Sequence, residues 1–229
     1  MSRVLGIDAG GPGKSSYLAF LQDDRITFSQ CVFGEDETDL PWLRDDDMGR
    51  IAIDAPQGLP RAGEKRRAAD AAAHTPTGRL PATRGEMARG ITDDGKRLVY
   101  IGLVRTGVEV FWANCRYVFG LASQPRLVET YPRAVFRALI SPRPPSKRND
   151  PYSYCDAVAE LMRCLGLSCP GVEIPSVDQC DAVLCALAAR AVVEGRAERL
   201  GRKPVIRKRD QVLREGYIVI PSPPGIPAT

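Results

Sequence analysis

Three short apolar runs of this chain each end in a carboxylate, and this recurrence narrows the choice of fold. "RVLGID" ends in Asp8, "IAID" ends in Asp54 and "LVE" ends in Glu129. In open α/β sheets, sites form at the carboxyl ends of the strands. If the three runs are neighbouring parallel strands, their acids meet at one edge of a sheet.

The rest of the pattern is typical of an α/β domain with a mixed sheet. Residues 15–21 and 25–33 have strand-like composition and lie one short turn apart, so with the first run they predict a three-strand antiparallel meander. "EGYIVIP" predicts a last strand near the end of the chain. The predicted helices cover about 61–73, 104–119, 132–140, 151–165 and 176–195. The predicted fold is therefore a meander followed by parallel strands, with helices on both faces.

The size and composition of the chain predict one cytoplasmic domain. That domain covers residues 1–229, with loop-rich insertions at about 34–49, 74–95 and 141–150. No apolar run approaches the roughly 18 residues of a membrane-spanning helix, and no signal peptide is visible. The seven cysteines are an odd number without a CxxC pair, which favours reduced thiols over a zinc site. We expect no membrane partner, and the oligomeric state stays open.

The stretch "GIDAGGPGKSS" allows two interpretations, a phosphate-binding loop or a strand that ends in a functional aspartate. A Walker A loop requires glycine where this chain has Asp8, and the following "SSYLAFL" looks like a strand instead of a helix. The glycine-rich hairpin of actin-like sugar kinases fits better. That fold needs a second lobe, for which "AIDAPQG" is the one candidate, with proline and glutamine in place of small residues. Kinase-like phosphotransfer therefore remains an alternative.

Two more acids, Asp178 and Asp181, lie in the first turns of an apolar helix. They are three residues apart and share a helix face. Crowded carboxylates stay ionised together when a cation is bound. Oxygen donors in a chain with one histidine favour Mg²⁺ or Mn²⁺ over zinc. Each acid could instead cap a turn or a helix. The predicted metal ligands are Asp8, Asp54, Asp178 and Asp181, and Glu129 joins them in the predicted catalytic set.

The segment from Arg196 to Arg214 is strongly basic, with eight Lys or Arg residues against two acids, in a chain of net charge +4. Such a charge run can be a solvated loop or a patch that binds phosphates. In the second case, the predicted nucleic-acid-binding residues are Arg202, Lys203, Arg207, Lys208 and Arg209.

Six landmarks along the chain resemble, in order, the domain-of-unknown-function family 429, which is described as predicted nucleases of RNase H-like fold. They are "VLGIDAG", "IAIDAPQGLP", "RRAAD", "VETYPRAVFRAL", "DQCDAVLCALAARAVVEG" and "EGYIVIP". The resemblance implies an RNase H-like domain with an acid-rich metal site at Asp8, Asp54, Glu129, Asp178 and Asp181.

The function expected from the acids and from this resemblance is a metal-dependent nuclease that hydrolyses nucleic-acid phosphodiester bonds with Mg²⁺ or Mn²⁺. The type of nucleic acid stays open. Two alternatives remain: actin-like or sugar-kinase-like phosphotransfer at the Asp8 glycine-rich loop, and a catalytically inactive RNase H-fold module that binds a partner.

Overall fold

The computed structural model describes residues 3–33, 38–76, 78–172 and 175–222. The strands in these ranges are β1 (Arg3–Asp8), β2 (Ser15–Gln22), β3 (Arg25–Val32), β4 (Met48–Asp54), β5 (Leu127–Glu129), β6 (Ala197–Arg207) and β7 (Val212–Pro221). The α-helices are α1 (Ala68–Ala72), α2 (Arg84–Arg89), α3 (Ile101–Ala113), α4 (Pro132–Leu139), α5 (Pro151–Cys164) and α6 (Val177–Val193). None of these helices is both long and apolar enough to cross a membrane.

The strands form one mixed sheet in the order β3-β2-β1-β4-β5-β7-β6. β1, β2 and β3 pair antiparallel, which confirms the predicted meander. β4 pairs parallel with β1, and β5 lies beyond it in parallel. The carboxyl ends of β1, β4 and β5 therefore meet at one edge, as the sequence predicted. β7 continues the parallel set and β6 closes the sheet antiparallel to β7.

Helices cover both faces of the sheet, and the alternating side chains of β1 pack against both layers. Leu5 and Ile7 pack into the cluster that contains Phe111 of α3, whereas Val4 packs into the cluster built around α6. Gly6 points to the α6 face as well. A Cβ at Gly6 would lie 2.0 Å from the carbonyl oxygen of Ala182 in α6. The missing side chain therefore lets α6 rest directly on the strand, which brings the start of this helix near the carboxyl end of β1.

Local signals predicted the positions of most helices, but the helix predicted over 104–119 runs from Ile101 to Ala113, and two further predictions differ from the structure. The capping box of Ser176 and Gln179 forms at the start of α6. The helix predicted over 61–73 is only α1, because Arg67 is extended (φ −75°, ψ 155°) and the residues before it are not helical. The loop-rich insertion predicted at about 74–95 contains α2, which begins with a Thr83 side-chain cap and ends at a left-handed Gly90. Residues 34–37 of the predicted insertion at 34–49 lie outside the described residues.

The basic segment is a β-hairpin, so its interpretation as a solvated loop was wrong. β6 and β7 pair from Ala197 with Pro221 to Arg207 with Val212. β6 is the edge strand of the sheet, and most of its side chains are exposed. An edge strand tolerates charged side chains, and charges there prevent pairing with other chains. Because β6 is polar along most of its length, the sequence pattern did not predict a strand there.

Candidate metal centre

Three aspartates converge at the carboxyl edge of the sheet. The carboxylates of Asp8, Asp54 and Asp181 each place an oxygen within 4.8 Å of the others. Asp8 and Asp54 end neighbouring parallel strands and are directly paired in register. Both side chains lie on the face that α6 covers, and Asp181 lies in the second turn of that helix. This group of three carboxylates, hereafter the acid cluster, is therefore assembled by β1, β4 and α6.

Glu129 lies at the same sheet edge, but its side chain points to the opposite face. Its register partner in β4 is Ile53 and not Asp54, and side chains alternate between the faces of a sheet. Both carboxylate oxygens of Glu129 accept hydrogen bonds from the Arg67 guanidinium at 2.6 Å. The Gln57 backbone N–H also donates to it at 2.7 Å. Glu129 is therefore engaged in a buried ion pair outside the acid cluster.

Asp178 is also outside the acid cluster. It occupies the first turn of α6, one turn before Asp181. Its side chain is exposed, whereas Asp181 is only 5% exposed. Of the four predicted metal ligands, the structure therefore brings three together and leaves Asp178 beside them in solvent.

Burial and mutual repulsion raise the pKa values of the acid cluster. Burial raises the pKa of Asp8 well above its ordinary value, and the nearby carboxylates of Asp181 and Asp54 raise it further. Burial raises the pKa of Asp54 to about 7, against the opposing effect of the Lys147 ammonium. Burial also raises the pKa of Asp181. The cluster therefore has more negative charge than the neighbouring protein groups neutralise, and a bound cation would supply the difference.

Lys147 is a functional candidate that is not among the site residues predicted from the sequence. Its ammonium donates a hydrogen bond to Asp181 and lies 5.2 Å from the centre of the Tyr154 ring. The Tyr154 hydroxyl donates to the other oxygen of Asp181 at 2.6 Å. Burial lowers the pKa of Lys147, but Asp181 and Asp54 outweigh that effect and raise it. The sequence signal for Lys147 is "SKRND", which has three charged residues within the insertion predicted at 141–150.

A cleft of about 500 Å³ opens beside Asp54. Its wall contains three cationic side chains, Arg133, Lys147 and Arg148, together with the half-buried Tyr131. Burial, with the nearby Asp54 carboxylate, raises the pKa of Tyr131 to about 12, so its hydroxyl stays protonated at neutral pH. The acid cluster thus lies next to a concave surface that could bind an anion.

The basic tip of the β6–β7 hairpin lies away from the acid cluster. Ile218 of β7 is level with Glu129, whereas Val212, the partner of Arg207, comes six residues earlier. At about 3.3 Å per residue, the tip with Arg207, Lys208 and Arg209 is therefore roughly 20 Å from the carboxyl edge.

The other two predicted nucleic-acid-binding residues lie within β6. Arg202 forms an ion pair with Glu64 at 3.1 Å, and Lys203 is exposed. The structure therefore does not join any part of the predicted phosphate-binding segment to the cleft.

The fold and the acid cluster together define an α/β protein with a mixed sheet and three carboxylates that could hold a metal ion. A family model described as "Protein of unknown function (DUF429)" matches residues 120–205, which confirms the family resemblance over that part of the chain. The match includes Lys147 and Asp181, and it ends before β7. No curated protein and no solved structure matches this chain.

Mn²⁺ or Mg²⁺ should raise the melting temperature of the protein by mass action, because the folded state holds the three carboxylates together and the unfolded chain does not. Asp8→Asn should remove most of this rise, since it replaces one of three ligands. The matched control is Asp178→Asn, which should keep the rise. Differential scanning fluorimetry with and without EDTA measures the effect. A wild-type melting temperature that does not respond to millimolar Mn²⁺ would count against the site.

The acid cluster should also make stability depend on pH. The pKa of Asp54 is raised from 3.8 to about 7, so in EDTA the folded state binds more protons than the unfolded chain. This contribution to stability is complete below about pH 4 and is lost as the pH rises through about 7. Asp54→Asn stays neutral, so its melting temperature relative to wild type should increase over this window. A constant difference between the two proteins would contradict the raised pKa.

Proposed function

We propose that this protein is a metal-dependent nuclease that hydrolyses nucleic-acid phosphodiester bonds, with Asp8, Asp54 and Asp181 as the ligands of Mg²⁺ or Mn²⁺. The observation that carries the proposal is the convergence of three carboxylates from two strands and one helix, one of which, Asp54, lines a cleft with a cationic wall. A negatively charged substrate and a divalent cation would meet there.

The donor set fits the proposed ions. Mg²⁺ and Mn²⁺ prefer carboxylate oxygens, and no histidine or cysteine belongs to the cluster that the described residues form. A bound divalent ion would activate water and polarise the phosphoryl group. The protein would hold this ion with all three aspartates, and the Tyr154 hydroxyl orients the carboxylate of Asp181 through its 2.6 Å hydrogen bond.

The cationic side chains of the cleft would bind the substrate phosphates. Arg133 and Arg148 carry donors suited to phosphate oxygens, and contacts to the phosphate backbone give affinity without reading sequence. Lys147, the third cationic side chain of this wall, also contacts Asp181. It balances part of the negative charge of the acid cluster and is placed to contact a phosphate bound beside it.

An RNase H-like fold is part of this proposal. The three-strand meander, the parallel strands β4 and β5, and the helices on both faces are the arrangement expected from the family resemblance.

The hydrogen bonds of the Asp8 glycine-rich loop give less support to the alternative of kinase-like phosphotransfer. The Gly10 backbone N–H donates to the Ser16 hydroxyl, and Lys14 N–H donates to the Gly11 carbonyl. The loop therefore uses these N–H groups internally, as a turn between β1 and β2.

The test is a panel of labelled DNA and RNA substrates, which includes single strands, duplexes and branched forms, incubated with Mn²⁺ or with EDTA. We expect cleavage of at least one substrate with Mn²⁺ and none with EDTA. Binding without cleavage would favour the inactive binding module. If the wild-type protein cleaves no substrate and binds none more tightly than about 10⁻⁴ M, the upper end of non-specific affinity, the nuclease function is wrong.

A further inference from the structure

We propose that the cleft beside the acid cluster holds one unpaired nucleotide, so that the substrate is a single strand or a strand end and not a continuous duplex. This inference rests on the proposed nuclease function and specifies its substrate class. It is carried by three features of the cleft: its size, its aromatic rim and its cationic wall.

The size of the cleft suits a single nucleotide. Its volume of about 500 Å³ lies within the roughly 300–1,000 Å³ of sites that bury one small ligand. A base-paired stack is too wide to enter a concavity of this kind, which is why enzymes that act on one nucleotide use single strands or extrude it from the duplex. A substrate that reaches the carboxylate of Asp54 inside the cleft must therefore be unpaired at that position.

Besides Tyr131, two aromatic side chains, Tyr100 and His74, line the cleft from different segments. Both have left-handed backbones, with φ of 57° at Tyr100 and 51° at His74. A left-handed backbone is uncommon for residues other than glycine, and such strained residues concentrate at functional sites. Tyr100 is also 51% exposed, although aromatic side chains usually gain stability by burial. An unpaired base would cover this exposed ring by stacking, as bases do on protein aromatics.

The cationic wall is placed to bind the phosphate of the same nucleotide. Arg148 is exposed, lines the cleft and forms no ion pair within the described part of the chain. Lys147 lies next to it and contacts Asp181. A nucleotide with its base against Tyr100 and its phosphate against these two side chains would bring the phosphate towards the acid cluster.

The test measures binding separately from cleavage. The probe is a fluorescein-labelled oligothymidylate, free or annealed to oligoadenylate, with Ca²⁺ in place of Mn²⁺ and fluorescence anisotropy as the readout. We expect the single strand to bind at least about tenfold more tightly than the duplex. Tyr100→Asn removes the ring but suits a left-handed backbone, and it should weaken single-strand binding by about tenfold or more.

Two variants separate stacking from a structural effect. Tyr100→Phe keeps the aromatic ring and should retain most of the single-strand affinity. Tyr152→Ala removes a tyrosine of α5 that is 69% exposed and does not line the cleft, so it should leave the affinity unchanged. Equal affinity for the single strand and the duplex would overturn the inference. So would a Tyr100→Asn protein that binds as tightly as wild type.

This inference and the proposed nuclease function can fail separately. Single-strand binding that depends on Tyr100, without cleavage of any substrate in Mn²⁺, would support the nucleotide site and refute the nuclease. Cleavage of duplex and single strand at equal rates, with no effect of Tyr100→Asn, would support the nuclease and refute the nucleotide site.

Discussion

Arg67→Met should lower the free energy of unfolding by about 3–5 kcal/mol, the usual effect of removing one partner from a buried ion pair. Arg67 has no exposed surface. Its guanidinium donates to Glu129 at 2.6 Å and to Asp70 at 2.8 and 2.9 Å. Methionine fills similar space without charge, so both carboxylates would remain buried without a cation. Urea unfolding followed by tryptophan fluorescence measures the change.

The matched control is Arg61→Met, an exposed arginine six residues earlier in the chain. Its effect should stay within about 0.5 kcal/mol, as for most surface substitutions. A triple variant that adds Asp70→Asn and Glu129→Gln to Arg67→Met should recover part of the lost stability, because it removes the unpaired negative charges. If Arg67→Met unfolds at the same urea concentration as Arg61→Met, the buried ion-pair network is wrong.

This network also shapes the cleft, because Asp70 and Glu129 belong to its lining. In the sequence, Arg67 belongs to the landmark "RRAAD" and to the helix predicted over 61–73, and neither indicates a role for it. Its partner Glu129 is 62 residues away, and no local pattern links two such positions. A buried arginine is paired by tertiary structure alone, so sequence reasoning could not separate it from the neighbouring exposed Arg66.

Local sequence patterns were sufficient to predict the strand pairing in the part of the sheet that carries Asp8 and Asp54. The short turns between β1, β2 and β3 allow only antiparallel neighbours, and the longer connections into β4 and β5 allow parallel pairing. The alternation of side chains along a strand also follows from local sequence. Which of the two faces a given side chain occupies depends on tertiary packing instead. In β5 the three residues Leu127, Val128 and Glu129 are all buried. Nothing in this stretch indicates which face α6 covers, so the position of Glu129 could not be predicted.

The cleft could not be predicted from the sequence for a different reason. Its cationic wall comes partly from a proline-rich connector that has no periodic pattern, and its aromatic rim comes from residues in irregular backbone. Sequence periodicity detects helices and strands, whereas these side chains are placed by contacts such as that of Lys147 with Asp181. Composition drew attention instead to the basic hairpin, because eight charges in one segment are easy to see.

Asp181→Asn should reduce Mn²⁺-dependent cleavage by more than about 100-fold, while Asp178→Asn keeps most of the activity. The pair is matched, since both acids lie in the first two turns of α6 and both changes remove one negative charge. Only Asp181 places an oxygen within 4.8 Å of oxygens of Asp8 and Asp54. Substitution of outer-shell partners already reduces metal affinity or activity by about 10–100-fold, so the loss of a direct ligand should exceed that.

Initial rates on the best substrate of the panel, measured over a range of Mn²⁺ concentrations, decide between the possible ligand sets. If Asp178 is exposed and outside the acid cluster, Asp178→Asn should leave the Mn²⁺ concentration for half-maximal rate nearly unchanged. If Asp178→Asn abolishes cleavage as completely as Asp181→Asn, the four-aspartate set predicted from the sequence is correct and α6 must present both acids to the ion. Activity that survives in Asp181→Asn would exclude the acid cluster as the catalytic metal centre, because no part of the proposed mechanism operates without that ligand.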